Sequence, residues 1–411
     1  MSNLFEHQHA LITQAPDRYL FAWGTGTGKS RTALELASLK THGPKLVICP
    51  KSLKENWRRE ILKWCGSDDK WTIASKEEFR KYWNDLKKME CVIVDEAHYF
   101  AGKSQMAKAL HSYFKKYDVP FRYLLTATPF LSTPWNIYIL GAHLGKLWNY
   151  RQWQFDYFQQ VKFGARSVWI PKKNIERAMR SHIKEIGSTL TLQECFDVPE
   201  QVFETEYFEL TTHQKRAVKN NYEPNFMTKY IKQHQIENGI KIGDGYVPDE
   251  VYETNKFERI WDLYQSNKKI AVFCKYNLQI DHLKTFLTGK ESNMQVYVLR
   301  GDTEDRQTVI DQANASDACV LIINTALSEG YELPTFDTVI YASLSYSFKD
   351  YQQSKGRVLR ANALKKNYYV HLISGDIDKA VYESMMKKQD FDLQLFINER
   401  EGLPDSVQSL A

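Results

Sequence analysis

With 411 residues and a net charge of +5, the chain has room for two or three domains and is close to charge-balanced. Its 43% hydrophobic and 26% charged residues exclude wholesale disorder, collagen and a coiled-coil rod. There is no apolar run of about 18 residues, no signal-like start in Met1-Ser2-Asn3-Leu4-Phe5-Glu6, and no CxxC pair among six scattered cysteines, so a reducing cytoplasm without a membrane span is expected.

The first ~130 residues alternate short apolar runs with charged stretches of helical spacing. Tyr19–Ala22 reads as a strand buried on both faces, and residues 30–39 as a helix. Between them lies Gly24-Thr25-Gly26-Thr27-Gly28-Lys29-Ser30. A glycine-rich turn from strand to helix lets backbone N–H groups surround phosphate oxygens, and the helix N-terminus adds partial positive charge. Lys29 is placed to reach the β- and γ-phosphates, and the Ser30 hydroxyl to ligate Mg²⁺. Trp23 stands where the strict phosphate-loop pattern has another glycine.

Leu46–Cys49 is the next strand, and residues 52–64 the next helix. Cys91–Val94 then leads into Asp95-Glu96-Ala97-His98, a DEAH box. An aspartate at the end of a buried strand can hold Mg²⁺, and a glutamate beside it can deprotonate a water. After a phosphate loop, this carboxylate pair favours nucleotide hydrolysis over storage. Tyr123–Leu125 follows, ending in Thr126-Ala127-Thr128-Pro129.

Residues 131–190 read as mostly helical. Eight Lys or Arg between Arg151 and Lys184 face only Asp156 and Glu176, with Trp153, Phe155, Tyr157, Phe158, Phe163 and Trp169 interleaved. This composition fits a nucleic-acid surface and an aromatic-cored insert with a solvated basic face equally well. Glu237–Glu250 reads as an exposed loop. A second α/β alternation follows, with strands at 270–273, 296–299, 320–323, 339–341 and 368–370. Near its end, Arg357 and Arg360 in Gln353-Ser354-Lys355-Gly356-Arg357-Val358-Leu359-Arg360 would share one face of a helix, an arrangement suited to phosphate charge.

Taken in this order, the four motifs resemble the superfamily 2 helicases and translocases over nearly the whole chain. His7-Gln8, Cys49-Pro50-Lys51-Ser52-Leu53 with Asn56-Trp57, and Glu209–Gln214 make it most like the Swi/Snf-type double-stranded DNA translocases. The resemblance implies two RecA-like parallel-sheet lobes: residues 1–205 with the helical insert near 131–190, then linker and second lobe over 206–411. It implies ATP and Mg²⁺, with Gln8 reading adenine and Thr25, Gly26, Thr27, Gly28, Lys29 and Ser30 cradling phosphate. Asp95 would hold Mg²⁺ with Ser30, and Glu96 would be the base. Thr126 and Thr128 would couple hydrolysis to lobe movement. Arg357, Arg360 and Gln353 would meet the γ-phosphate, with Glu329-Gly330 between lobe and nucleic acid. Lys51, Ser52, Lys275 and Thr325 would touch the phosphate backbone. The partner implied is DNA, duplex or branched, ahead of RNA. Arg360-Ala361-Asn362 departs from the usual Swi/Snf ending and the chain is short, which points to a compact bacterial or phage form. An RNA helicase and a DNA clamp with slow ATPase remain as alternatives.

Overall fold

Strands that are apolar on both faces need cover on both sides, and parallel strands need a crossover each time the chain returns. The computed structural model meets both needs twice. It describes residues 4–102, 104–127, 133–163, 166–327, 331–358, 366–387 and 391–401. The chain divides into two compact units, Met1–Asp197 and Val198–Ala411.

The first unit contains β1 (Arg18–Trp23), β2 (Lys45–Cys49), β3 (Trp71–Ser75), β4 (Cys91–Val94), β5 (Phe121–Leu125), β6 (Phe158–Phe163), β7 (Arg166–Pro171) and β8 (Gly187–Leu190). Six of them form one parallel sheet in the order β3-β2-β4-β5-β1-β8. Alternate residues of each strand enter opposite cores. Phe21, Val47, Ile93 and Leu125 pack with Ala33, Leu36, Trp57 and Ile61 from the helices Lys29–Lys40 and Lys54–Cys65. Leu20, Ile48, Val94 and Leu124 pack on the other side with Phe79, Leu110 and Ile137.

The stretch expected to be mostly helical departs from that reading. Helices Pro134–His143, Tyr150–Tyr157 and Glu176–Ile186 are interrupted by an antiparallel hairpin, β6 with β7. The hairpin strands carry Gln159, Gln160, Val161, Val168, Trp169 and Ile170, whose alternation is blurred by glutamines, so no strand signal stands out. The insert then returns as β8, which pairs with β1. Gly187 is required there, because a Cβ would run into the Leu20 carbonyl.

The second unit contains β9 (Gln201–Phe208), β10 (Ile240–Lys241), β11 (Glu250–Val251), β12 (Lys269–Cys274), β13 (Val296–Leu299), β14 (Cys319–Asn324), β15 (Thr338–Tyr341) and β16 (Asn367–Ser374). Its parallel sheet runs β13-β14-β12-β15-β16-β9. β9 pairs with β16 along its whole length, so residues 201–205 belong with the second unit rather than the first. The expected exposed loop is the turn of the small β10–β11 hairpin, while Glu237, placed at its start, is fully buried at the end of the helix Phe226–Glu237. There its carboxylate accepts from the Ile377 and Asp378 backbone N–H groups. Nearby, the buried Lys256 ammonium donates to Asp378 Oδ2 (2.6 Å), Asn238 Oδ1 (2.8 Å) and the Ala342 carbonyl (2.8 Å). Burial acts to raise the Asp378 carboxyl, yet Lys256 and His234 beside it hold it well below the usual carboxylate range. Among the described residues, no helix is long and apolar enough to cross a membrane.

Burial pulls His143, His234 and His371 each down to about 4. Between that value and the ordinary 6.5 the unfolded chain binds more protons than the folded one, so stability falls as pH falls through this window. His371 stacks on Tyr341 at a centroid distance of 5.0 Å. Urea midpoints should therefore drop from pH 7 to pH 5, and His371→Phe, which keeps the stack, should flatten that drop by about 2 kcal/mol. An equal pH dependence in the two proteins would place the proton uptake elsewhere.

Candidate active site

The carboxyl edge of the first sheet is where its chemistry gathers, because every crossover leaves from that edge. The neighbouring strands β2, β4, β5 and β1 deliver Lys51-Ser52, Asp95-Glu96, Thr126 and the glycine-rich loop, side by side.

The loop starts where Gly24 N–H donates to the Leu190 carbonyl of β8 at 2.7 Å. Trp23 fits at the position of the missing glycine because its side chain is buried in the core, with Nε1 donating to Ser188 Oγ at 2.7 Å. Gly26 and Gly28 hold left-handed φ angles of 77° and 81°. Thr27 is buried and donates to the Gly24 carbonyl at 2.8 Å. Lys29 Nζ donates to the Trp23 and Gly24 carbonyls, both at 2.9 Å, so its ammonium lies folded over the loop. Thr25 and Ser30 are half-buried.

Gln8, expected to read adenine, is fully buried against this loop. Its Oε1 accepts from Phe5 N–H at 3.0 Å and its Nε2 donates to the Gly28 carbonyl at 3.1 Å. In this arrangement the amide is a strut under the phosphate loop. His7 Nε2 lies 2.8 Å from the Thr27 carbonyl and adds a second strut.

Asp95 is fixed by its own backbone, whose N–H donates to the Ile48 carbonyl of β2 at 2.8 Å. Its Oδ1 accepts from Glu96 N–H at 2.9 Å and its Oδ2 from the Trp57 indole at 2.8 Å. Burial, and then the adjacent Glu96 carboxylate, push the Asp95 carboxyl up to about 7, while Lys29 pulls it down. Glu96 takes a left-handed backbone, φ 49°, a conformation that costs a non-glycine residue about 1 kcal/mol or more and gathers at functional sites. His98 Nδ1 lies 3.1 Å from Glu96 Oε2 and 3.2 Å from the hydroxyl of buried Thr126, joining two of the motifs. Thr128 lies outside the described residues.

These groups fit a Mg²⁺-nucleotide. Ser30 and Asp95 are hard oxygen donors, and two adjacent half-buried carboxylates favour a cation at this edge. Among the described residues no cluster of three or more His, Cys, Asp or Glu could hold a metal by itself.

In the second unit, Lys275 and Thr325 follow the neighbouring strands β12 and β14, and Asn324 Nδ2 donates to the Lys275 carbonyl at 3.3 Å. Lys275 lies with its ammonium over the Tyr346 ring, and burial pulls it down to about 7. Thr325, expected to touch the phosphate backbone, is buried. Gln353 is buried in the helix Phe348–Lys355. That helix ends at Gly356, so Arg357 sits in a turn rather than on a helical face shared with Arg360. Arg357 Nη1 donates to the Tyr331 carbonyl at 3.3 Å. Arg360, Glu329 and Gly330 lie outside the described residues.

The insert resolves its own ambiguity in part. Trp135, Tyr138, Trp148, Trp153, Tyr157, Phe158 and His182 pack on one another, as a core would. Phe155 and Trp169 stay exposed, and so do Arg177, Arg180 and Lys184 on one face of the helix Glu176–Ile186.

Residues 255–362 match the helicase conserved C-terminal domain family. The chromodomain-helicase-DNA-binding protein 1-like of Danio rerio is 22% identical over 94% of this chain and 42% of its own length. An ISWI chromatin-remodeling complex ATPase of Saccharomyces cerevisiae is 22% identical over 87% of this chain and 36% of its own. By these matches the chain resembles the Swi/Snf-type superfamily 2 helicases. It spans well under half the length of these two curated relatives. The helicase domain of Hef from Pyrococcus furiosus has the same fold, with a TM-score of 0.54 at 15% identity over 93% of this chain and 98% of that one. Two positions of the site carry roles that residue type does not announce. Trp57 was quoted only as a motif residue, and nothing in its helical spacing announces a bond to Asp95. Leu190 contributes a backbone carbonyl, which leaves no trace in residue type.

The strut under the loop can be tested. A Cβ at Gly28 would collide with the Gln8 amide and would sit at a left-handed φ. Gly28→Ala should cost at least about 1 kcal/mol in urea unfolding. Adding Gln8→Ala should recover the collision part, so the double variant should be less destabilised than the sum of the two. Simple additivity would mean that Gln8 does not press on the loop.

Proposed function

We propose that the chain is an ATP-driven DNA translocase that couples nucleotide hydrolysis to movement along DNA. The observation that carries the reading is the gathering of Lys29, Asp95, Glu96 and Thr126 at one edge of one parallel sheet, with the Lys51–Ser52 turn beside them. The likeness to chromatin-remodelling relatives supports DNA over RNA.

In this reading the loop amides and Lys29 bind the β- and γ-phosphates. Glu96 orients a water and accepts its proton as the water oxygen attacks the γ-phosphorus, and ADP departs. Ser30 and Asp95 are the ligands for Mg²⁺, which when bound neutralises phosphate charge. His98 links the base to Thr126, so a change at the phosphate can be felt at the end of β5. Catalysis of this kind is positioning and charge stabilisation more than covalent chemistry. Arg357 and Arg360, with Gln353 beside them, are the residues proposed to offset γ-phosphate charge. The exposed surface of Lys51 and Ser52, the Lys275 region and the basic face of the helix Glu176–Ile186 are assigned to the DNA backbone.

Lys29→Ala should abolish turnover and weaken nucleotide binding, measured by steady-state ATPase and fluorescent-nucleotide titration. Ordinary turnover in this variant would remove the phosphate-loop assignment. Glu96→Gln should bind ATP normally yet hydrolyse it at least about 100-fold more slowly, because the water loses its base. Turnover is to be compared with duplex DNA, single-stranded DNA and RNA. Greatest stimulation by RNA would replace the DNA reading, and none by any of them would leave a clamp.

A further inference from the structure

Trp57 stands one turn into the helix Lys54–Cys65, which continues directly from the turn Lys51–Leu53. Leu53 N–H donates to the Pro50 carbonyl at 2.9 Å, which closes that turn onto the end of β2. The helix buries two residues, Trp57 and Ile61, and leaves most of its other positions to solvent. Trp57 is 1% exposed, and its indole N–H reaches Asp95 Oδ2 at 2.8 Å. An indole nitrogen can only donate, so the direction of this bond is unambiguous.

The two ends of the bond are held very differently. Asp95 directly follows β4, which is paired with β2 and β5, and its own N–H donates to the Ile48 carbonyl at 2.8 Å. Its side chain keeps two rotations, about Cα–Cβ and Cβ–Cγ, and two donors fix the carboxylate: the Glu96 N–H on Oδ1 and the indole on Oδ2. The indole end rides on a helix whose start is the exposed pair Lys51 and Ser52. A short helix moves as a rod, so a displacement of that turn reaches the indole within one helical turn and is passed on to the carboxylate plane.

We propose that Trp57 is a positioning residue that couples the Lys51–Ser52 turn to the Asp95 carboxylate, so that nucleic acid on the turn sets the orientation of a Mg²⁺ ligand. This rests on the ATPase reading above. It adds a named bond through which a bound backbone could tune metal and nucleotide affinity. Outer-shell partners of metal ligands typically contribute 10–100-fold to metal affinity.

The test measures the Mg²⁺ midpoint for binding a fluorescent ADP analogue, with and without duplex DNA. In the wild-type protein, DNA that orders the turn and so holds the carboxylate should lower that midpoint, and the Mg²⁺-nucleotide should tighten DNA binding by the same factor. Trp57→Phe keeps the ring and removes the N–H; it should raise the midpoint about 10–100-fold and abolish the effect of DNA. Trp57→Met is the second variant, filling the gap with a flexible apolar chain. Trp64→Phe is the matched control, since its indole donates to Glu60 Oε2 (2.7 Å) on the same helix, away from Asp95. It should behave as wild type. A wild-type midpoint that ignores DNA, or a Trp57→Phe protein with wild-type midpoint and wild-type DNA response, overturns the proposal. Wild-type protein without any nucleic-acid-stimulated turnover would instead overturn the functional reading beneath it.

Discussion

A parallel strand cannot be joined to its neighbour by a hairpin, so each return must cross the sheet and leave again from the same end. In the first unit this constraint places the exits of β2, β4, β5 and β1 in a row. Four segments separated by up to about a hundred residues in the chain thereby become one site. The glycine-rich loop, the carboxylate pair, Thr126 and the Lys51–Ser52 turn are distinct in chemistry and share only this edge. The second unit repeats the arrangement, and brings Lys275 and Thr325 together at the ends of neighbouring strands.

Around that edge, burial and pairing divide the work. Asp95 is expensive to bury, and its oxygens are satisfied by a backbone N–H and an indole rather than by a cation. The Lys29 ammonium is held by two carbonyls. Charges held by dipoles in this way can be handed to a charged ligand without first breaking an ion pair between them. Lys256 and Asp378 in the second unit show the opposite arrangement: both are fully buried and closed on each other at 2.6 Å. Removing either one strands the other, which makes that pair structural.

Much of this was legible in residue order. The apolar runs at Leu46–Cys49, Cys91–Val94 and Val320–Ile323 are strands because nothing else tolerates apolar character on both faces at that length. The glycine-rich loop was legible for a related reason: glycines at 26 and 28 are needed where φ is positive. What stayed hidden was held by partners. Gly187–Leu190 has no apolar run and becomes β8 only by pairing with β1. The hairpin β6–β7 mixes glutamines with apolar residues on a two-stranded ribbon, which blurs its alternation. Arg357 had helical spacing, but the helix Phe348–Lys355 stops at Gly356, just before it. The place of Gln8 under the loop is set by packing, which spacing does not encode.

The bond from Gly24 N–H to the Leu190 carbonyl has a consequence for biogenesis. Its donor leaves the ribosome more than 160 residues ahead of its acceptor. Until the whole insert has been made and β8 has docked on β1, the first residue of the phosphate loop lacks its anchor. Local helices form in microseconds, whereas so distant a closure must wait for synthesis at roughly 5–20 residues per second. A nascent chain of this protein therefore passes through a period of many seconds in which the loop is already made but not yet anchored. The loop's final shape is therefore a late event in the chain's life, gated by the last strand of its own sheet.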